Sequence, residues 1–219
     1  PELRFVVSNT TEAGISWKEE DMVTDQPQDS FPAKVCNFLY VRFKEFNGDM
    51  NKGLVFIPCE LIDDNGKELE KNTSMREEIQ KALSGGMPCM AECGGFMYLH
   101  EQMEDMGGVF RKTCGVIPGK CFRTPRLTRF GYITLTAGKP VFGRSAEEIG
   151  EIPAHEFHYF DSENCGSDFH AAKPLSKRGW DCMHSSSNLL AGYPHIYYYG
   201  NPQIPRTFLM KCLEYHNSC

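Results

Sequence analysis

The 219-residue sequence predicts an α/β fold in which a mostly parallel sheet is flanked by helices. Two observations carry this prediction. Within the first 66 residues a strand pattern, a helix pattern and a second strand pattern follow one another, which is the order of a βαβ unit. Farther on, the apolar run Pro88 to Ala91 stops at Cys93 and passes through Gly94 and Gly95 into Phe96, Met97, Leu99 and Met103, which recur at helical spacing. A strand, a sharp turn and a helix in that order hold the residue at the turn on an exposed elbow.

In the N-terminal part, Leu3-Arg-Phe-Val-Val7 is a strand candidate. Ser8-Asn-Thr-Thr-Glu-Ala-Gly14 is either a loop that lies against a ligand or a solvated strand end. A polar linker over 18–30 leads into a helix from Phe31 to Phe46, with Pro32 in its first turn, Val35, Phe38, Leu39, Arg42, Phe43 and Phe46 along one mostly apolar stripe, and Gly48 just past its end. Leu54-Val-Phe-Ile-Pro58 is the second buried strand.

After a polar stretch at 66–72, Ser74 and Glu77 have capping-box spacing, Met75, Ile79, Ala82 and Leu83 share a face, and Gly85-Gly86 stops the helix. Residues 107–160 read as short strands with turns, a mixed or antiparallel extension, and 161–180 as polar loop apart from Phe169 and Trp180. Leu189 to Tyr199 is the last strand region, and Pro205 to Tyr215 is a closing helix with Phe208, Leu209, Cys212 and Leu213 inward.

Composition narrows the function. A formal charge of −6 gives no basic surface for nucleic acid. No apolar run approaches the roughly 20 residues of a membrane span, and the N-terminus lacks a signal-peptide layout, so a cytoplasmic protein with no membrane partner is expected. Ten cysteines occur without any Cys-x-x-Cys pair, which indicates neither a zinc site nor a disulfide framework.

The residue with most chemical promise is Cys93. A free thiol titrates at about 8.5, and a helix N-terminus or a neighbouring imidazole lowers this and supplies attacking thiolate. Read alone, Cys93-Gly-Gly also fits a structural cysteine before a glycine turn. His155-Glu-Phe-His158 could be half a metal site, but no third ligand is spaced to complete it, so no metal is expected. Strand alternation sends Glu156 and His158 to one face and His155 and Phe157 to the other, in a pocket or along a solvated edge.

Five stretches occur in order: Pro-Cys-Met-Ala-Glu-Cys-Gly-Gly-Phe-Met-Tyr-Leu (88–99), Gly-Val-Ile-Pro-Gly (115–119), Arg-Leu-Thr-Arg-Phe-Gly-Tyr (126–132), His-Glu-Phe-His-Tyr (155–159) and Ala-Gly-Tyr-Pro-His-Ile-Tyr (191–197). Through them, residues from about 70 to 219 resemble the glutamine amidotransferase domain of cobyrinic acid a,c-diamide synthase. The resemblance implies a three-layer, class I glutamine amidotransferase-like fold, to whose sheet the N-terminal βαβ unit would contribute. It also implies glutamine hydrolysis in cobalamin biosynthesis, with Cys93 as nucleophile, His195 as proton shuttle, and Gly94, Glu156 and His158 around the bound glutamine.

The usual triad places a carboxylate two residues beyond the histidine, where this chain has Tyr197, so the orienting group is missing or supplied elsewhere and a Cys-His dyad is expected. Gly94 would supply one oxyanion donor. The second belongs to a glycine-rich loop that Cys59-Glu-Leu-Ile62 replaces, so weak or absent glutaminase activity is expected. No cofactor is expected in this chain, since ATP and Mg would belong to a synthetase domain acting in trans. Arg123, Arg126 and Arg129 would either dock that domain or simply be solvated.

The N-terminal residues carry a different resemblance. Arg4-Phe-Val-Val-Ser-Asn-Thr-Thr-Glu-Ala-Gly-Ile15, Phe31-Pro-Ala-Lys34 and Ile57-Pro-Cys-Glu-Leu-Ile-Asp-Asp-Asn-Gly66 resemble the nucleotide-binding domain of tagaturonate reductase (altronate oxidoreductase, mannitol dehydrogenase family). It implies that Asn9, Thr10, Thr11 and Glu12 lie near a nicotinamide cofactor. The glycine fingerprint and the substrate domain with its catalytic lysine are not in these residues, so hydride transfer is not expected. The expected organisation is a chimera of a Rossmann-like βαβ fragment over 1–66 and an amidotransferase-like domain over 67–219. The alternatives are a catalytically silent interaction fragment and a residual NAD binder.

Overall fold

The computed structural model describes residues 5–8, 22, 28–47, 49, 55–58 and 73–218. The loop 9–14, the stretch 59–62 and the polar junction 66–72 lie outside the described residues. The chain separates into two compact units, Pro1–Asp63 and Asp64–Cys219.

In the first unit, β1 (Phe5–Ser8) and β2 (Val55–Pro58) pair in parallel as a two-stranded sheet, with α1 (Phe31–Glu45) between them in the chain. Ser30 is extended and its hydroxyl accepts the Ala33 N–H at 3.3 Å, which satisfies one free donor of the first turn. The left-handed residue at the other end is Asn47, with φ 50°, one position before the expected glycine.

The second unit begins with α2 (Thr73–Ser84), β3 (Cys89–Glu92), the single-turn helix α3 (Gly94–Tyr98), β4 (His100–Glu104), β5 (Phe110–Lys112) and β6 (Ile117–Arg123). It continues with β7 (Arg129–Ala137), α4 (Ala146–Ile149), β8 (Ile152–His158), β9 (Phe160–Ser162), β10 (Phe169–Ala172) and β11 (Gly179–Cys182). It ends with β12 (His184–Ser185), β13 (Leu189–Gly192), β14 (His195–Ile196) and α5 (Gln203–Ser218).

These strands form three sheets, in the orders β12-β13-β3, β11-β10-β7-β8-β14 and β5-β4-β6-β9. The fold is α/β as expected, but its sheets are mixed and not mostly parallel: in this unit the described parallel pairs are β13 with β3 and β4 with β6, and the other pairs are antiparallel. Short connections such as that between β4 and β5 reverse the chain, whereas a parallel partner needs a crossover of a dozen residues or more.

Two further expectations change. The helical spacing of Phe96, Met97, Leu99 and Met103 yields only one helical turn before the chain extends into β4. The stretch 161–180, read as loop, contains β10 and parts of β9 and β11. In α5 the buried residues are Ile204 and Thr207, with Phe208 packed beside the core, while Leu209 and Leu213 are exposed.

β3 and β13 lie between two hydrophobic cores. Leu190 belongs to one core and Met90 packs against it, whereas their neighbours Ala191 and Ala91 belong to the other. Alternating side chains are therefore buried on both faces, as the unbroken apolar runs of these strands require. α2 presents Ile79 and Leu83 to the second core and is closed by a turn at Gly86, φ 89°, with the Met87 N–H bonded to the Ala82 carbonyl at 3.0 Å.

Candidate active site

Cys93 follows the end of β3 and opens α3 with φ 47° and ψ −107°. A side chain rarely occupies this region, and such a conformation costs about 1–3 kcal/mol and persists only where the surroundings enforce it. Here the Cys93 N–H donates to the Gly192 carbonyl at 2.9 Å and its carbonyl accepts from Met97, so the neighbouring strand and the helical turn pin the residue from both sides.

The electrostatics depart from the sequence expectation. Burial pushes the Cys93 thiol up to about 11, with the carboxylates of Glu92 and Glu156 adding to the shift and the Gly94 N–H opposing it. One helical turn has too small a dipole to reverse this. These surroundings favour the thiol over the thiolate.

His195 opens β14, three residues after Gly192, whose carbonyl holds Cys93 and which lies opposite Glu92 in the parallel β3–β13 pair. The chain thus leaves β13 at the elbow, turns through Tyr193 and Pro194, and joins the edge of the five-stranded sheet, where His195 pairs with His155 of β8. Burial and the nearby His155 and His158 hold the His195 imidazole below its usual value, with Glu156 acting in the opposite sense. A neutral imidazole is the form that can accept a proton.

Glu156 and His158 share the inner face of β8, as alternation predicts, and both are buried. Glu156 is 0% exposed. One carboxylate oxygen lies 3.3 Å from His158 Nε2 and 3.9 Å from Arg129 Nε, and the other accepts from Trp180 Nε1 at 3.4 Å. His158 Nδ1 donates to the Phe160 carbonyl at 2.6 Å, and Nε2 faces Glu156. Tyr193 stacks on the His158 ring, with centroids 4.0 Å apart. These partners occupy both oxygens of Glu156 from within the protein. Arg129 belongs to this cluster, while Arg123 and Arg126 lie on the surface.

Sequence reasoning missed Glu92. Its carboxylate lies 3.7 Å from His195 Nδ1, and its other oxygen accepts from the Tyr198 hydroxyl at 2.6 Å and the Ile196 N–H at 3.3 Å. The available signal was its place immediately before Cys93 at the end of a strand. Two clefts, of about 560 and 450 Å³, are lined by α2 with the 112–115 turn and by residues 163–168 with Lys139 and His184; Cys93 and His195 line neither. Among the described residues no group of three His, Cys, Asp or Glu side chains could hold a metal ion, and the described cysteines are free thiols. No described helix is long and apolar enough to cross a membrane.

Comparison with known proteins finds both resemblances. The chain is 36% identical over 139 residues to the cobyrinate a,c-diamide synthase of Fusobacterium nucleatum, covering 62% of this chain and 30% of that protein. With the synthase of Caldanaerobacter subterraneus the identity is 33% over 153 residues, covering 68% and 33%. With the altronate oxidoreductase of Bacillus subtilis it is 45% over 94 residues, covering 43% and 20%. The chain therefore spans a third or less of the length of these relatives. Residues 40–202 match the CobB/CobQ-like glutamine amidotransferase domain, and the chain belongs to that family.

Proposed function

We propose that the second unit is a glutaminase that hydrolyses the side-chain amide of glutamine with Cys93 as nucleophile and His195 as general base and acid. The single observation that supports this best is the φ 47° elbow at Cys93, bonded to the strand that leads to His195. In this reading the neutral imidazole takes the thiol proton as sulfur attacks the amide carbon. The oxyanion that forms is met by the Gly94 N–H. The carbon–nitrogen bond breaks, the leaving nitrogen takes the proton from the imidazolium, and ammonia departs. His195 then activates the water that cleaves the thioester, releasing glutamate and the thiol.

The closed partner set of Glu156 and His158 suits a role behind the reacting groups, where the pair shapes the potential at Cys93 and His195, more than direct contact with glutamine. By analogy with the relatives, the ammonia would serve ATP-dependent amidation of a corrinoid carboxylate, with ATP and Mg held by a synthetase domain and not by this chain. The high thiol value and the replacement of the glycine loop by 59–62 both favour low turnover.

Incubation with the glutamine analogue 6-diazo-5-oxo-L-norleucine, followed by peptide mass spectrometry, tests the assignment. Modification is expected at Cys93, and it should be lost with His195→Ala or excess glutamine. Labelling that ignores glutamine, or that falls on another cysteine, overturns it.

A further inference from the structure

We propose that Glu92 is a positioning residue that sets the tautomer and orientation of the His195 imidazole, filling from the nucleophile's own strand the place that Tyr197 leaves without a carboxylate. This inference rests on the reading of His195 as the base for Cys93. Glu92 is the last residue of β3 and His195 the first of β14, so the carboxylate reaches the ring across the point where the chain changes sheets.

One oxygen is fixed. It accepts two bonds, from the Tyr198 hydroxyl at 2.6 Å and from the Ile196 N–H at 3.3 Å, and both donors come from the residues just after His195. The other oxygen is thereby aimed at Nδ1, at 3.7 Å. Both side chains are largely shielded, with 34% of His195 and 22% of Glu92 exposed, so water only partly competes for the contact.

Such a carboxylate favours the tautomer with the proton on Nδ1, which leaves Nε2 with a lone pair to accept the thiol proton. At 3.7 Å the contact is longer than a hydrogen bond, and with the ring neutral it is one between a carboxylate and the imidazole dipole; burial still holds His195 below its usual value. It would shorten as the ring becomes an imidazolium beside the carboxylate, the stage at which opposite charge stabilises the pair. The other titratable groups acting on His195 are His155, its cross-strand partner, and His158 and Glu156, also of β8. These set the background against which Glu92 works.

The discriminating variant is Glu92→Gln. Its amide oxygen would stay with the Tyr198 and Ile196 donors, which leaves the NH₂ facing Nδ1. Nδ1 then has to accept, Nε2 carries the proton, and the ring can no longer take one from sulfur.

The test is nitrogen-15 NMR of histidine-labelled full chain, with His195 assigned by its loss in His195→Ala. Expected are a protonated Nδ1 in the native chain, a switch to protonated Nε2 in Glu92→Gln, and a His195 pKa lower in the variant, since an adjacent opposite charge is removed. The rate of glutamate release should fall at least about tenfold, as wrong-tautomer variants of such sites do. Tyr198→Phe, which frees one oxygen of Glu92, should lower the rate less and shift the tautomer only in part. An unchanged tautomer and pKa in a folded Glu92→Gln overturn the proposal. A tautomer switch in a chain whose Cys93 does not react with the glutamine analogue would sink the glutaminase reading while leaving the coupling of Glu92 to His195 intact.

Discussion

The sulfur of Cys93 is held in a demanding backbone conformation and in an environment that disfavours its charge. With a thiol value of about 11, the thiolate fraction at neutral pH is small and grows about tenfold per pH unit. Alkylation of Cys93 by iodoacetamide should therefore keep rising from pH 7 to pH 10, and a plateau below pH 8 would show a resting thiolate instead. The glutamine reaction should behave differently, because it draws on His195. Its acid limb should lie below the ordinary imidazole value of about 6.5, since burial favours the neutral ring and the base is lost only when the pH falls through that lowered value. The identity of the nucleophile was legible in the sequence because a strand, a glycine turn and a helix leave a local pattern. Its protonation was not, because the depth of burial and the approach of Glu156 depend on residues distant in the chain.

The strand β8 carries the densest buried polar cluster of the site. Glu156, wholly enclosed, is balanced by His158, Arg129 and the Trp180 N–H. Removing one partner of a buried ionic set leaves the others uncompensated, so Glu156→Ala should cost about 3–5 kcal/mol of stability in urea unfolding. Glu156→Gln should cost less, because it keeps the shape and one acceptor. Equal effects of the two would mean that packing and not charge carries the cluster. A second vulnerable element is the contact of Gly166, φ 77°, with Met183, where an added Cβ would stand 2.1 Å from a backbone oxygen. Gly166→Ala should lower stability by about 3 kcal/mol or more, read by the same unfolding curve. Alternation along β8 was readable from four residues of sequence. That the inner face holds a buried ionic cluster was not, since Arg129 and Trp180 arrive from β7 and β11.

At the scale of the whole chain, both altronate oxidoreductases and cobyrinate a,c-diamide synthases are found among the proteins it resembles. Its 219 residues contain no Gly-x-Gly-x-x-Gly fingerprint to cradle a pyrophosphate. Titration calorimetry with NADH should accordingly give no saturable heat; micromolar binding would favour a residual dinucleotide site around Asn9 to Glu12. From its residues alone the sequence settled the family, the βαβ order of the first unit and the strand-turn-helix around Cys93, because these follow from local periodicity, glycine placement and ordered motifs. The mixed sheets, the single turn of α3, the strands within 161–180 and the approach of Glu92 to His195 required the folded chain. Each is fixed by which distant strands pair, and pairing energy is shared between segments that carry no record of one another in their own residues.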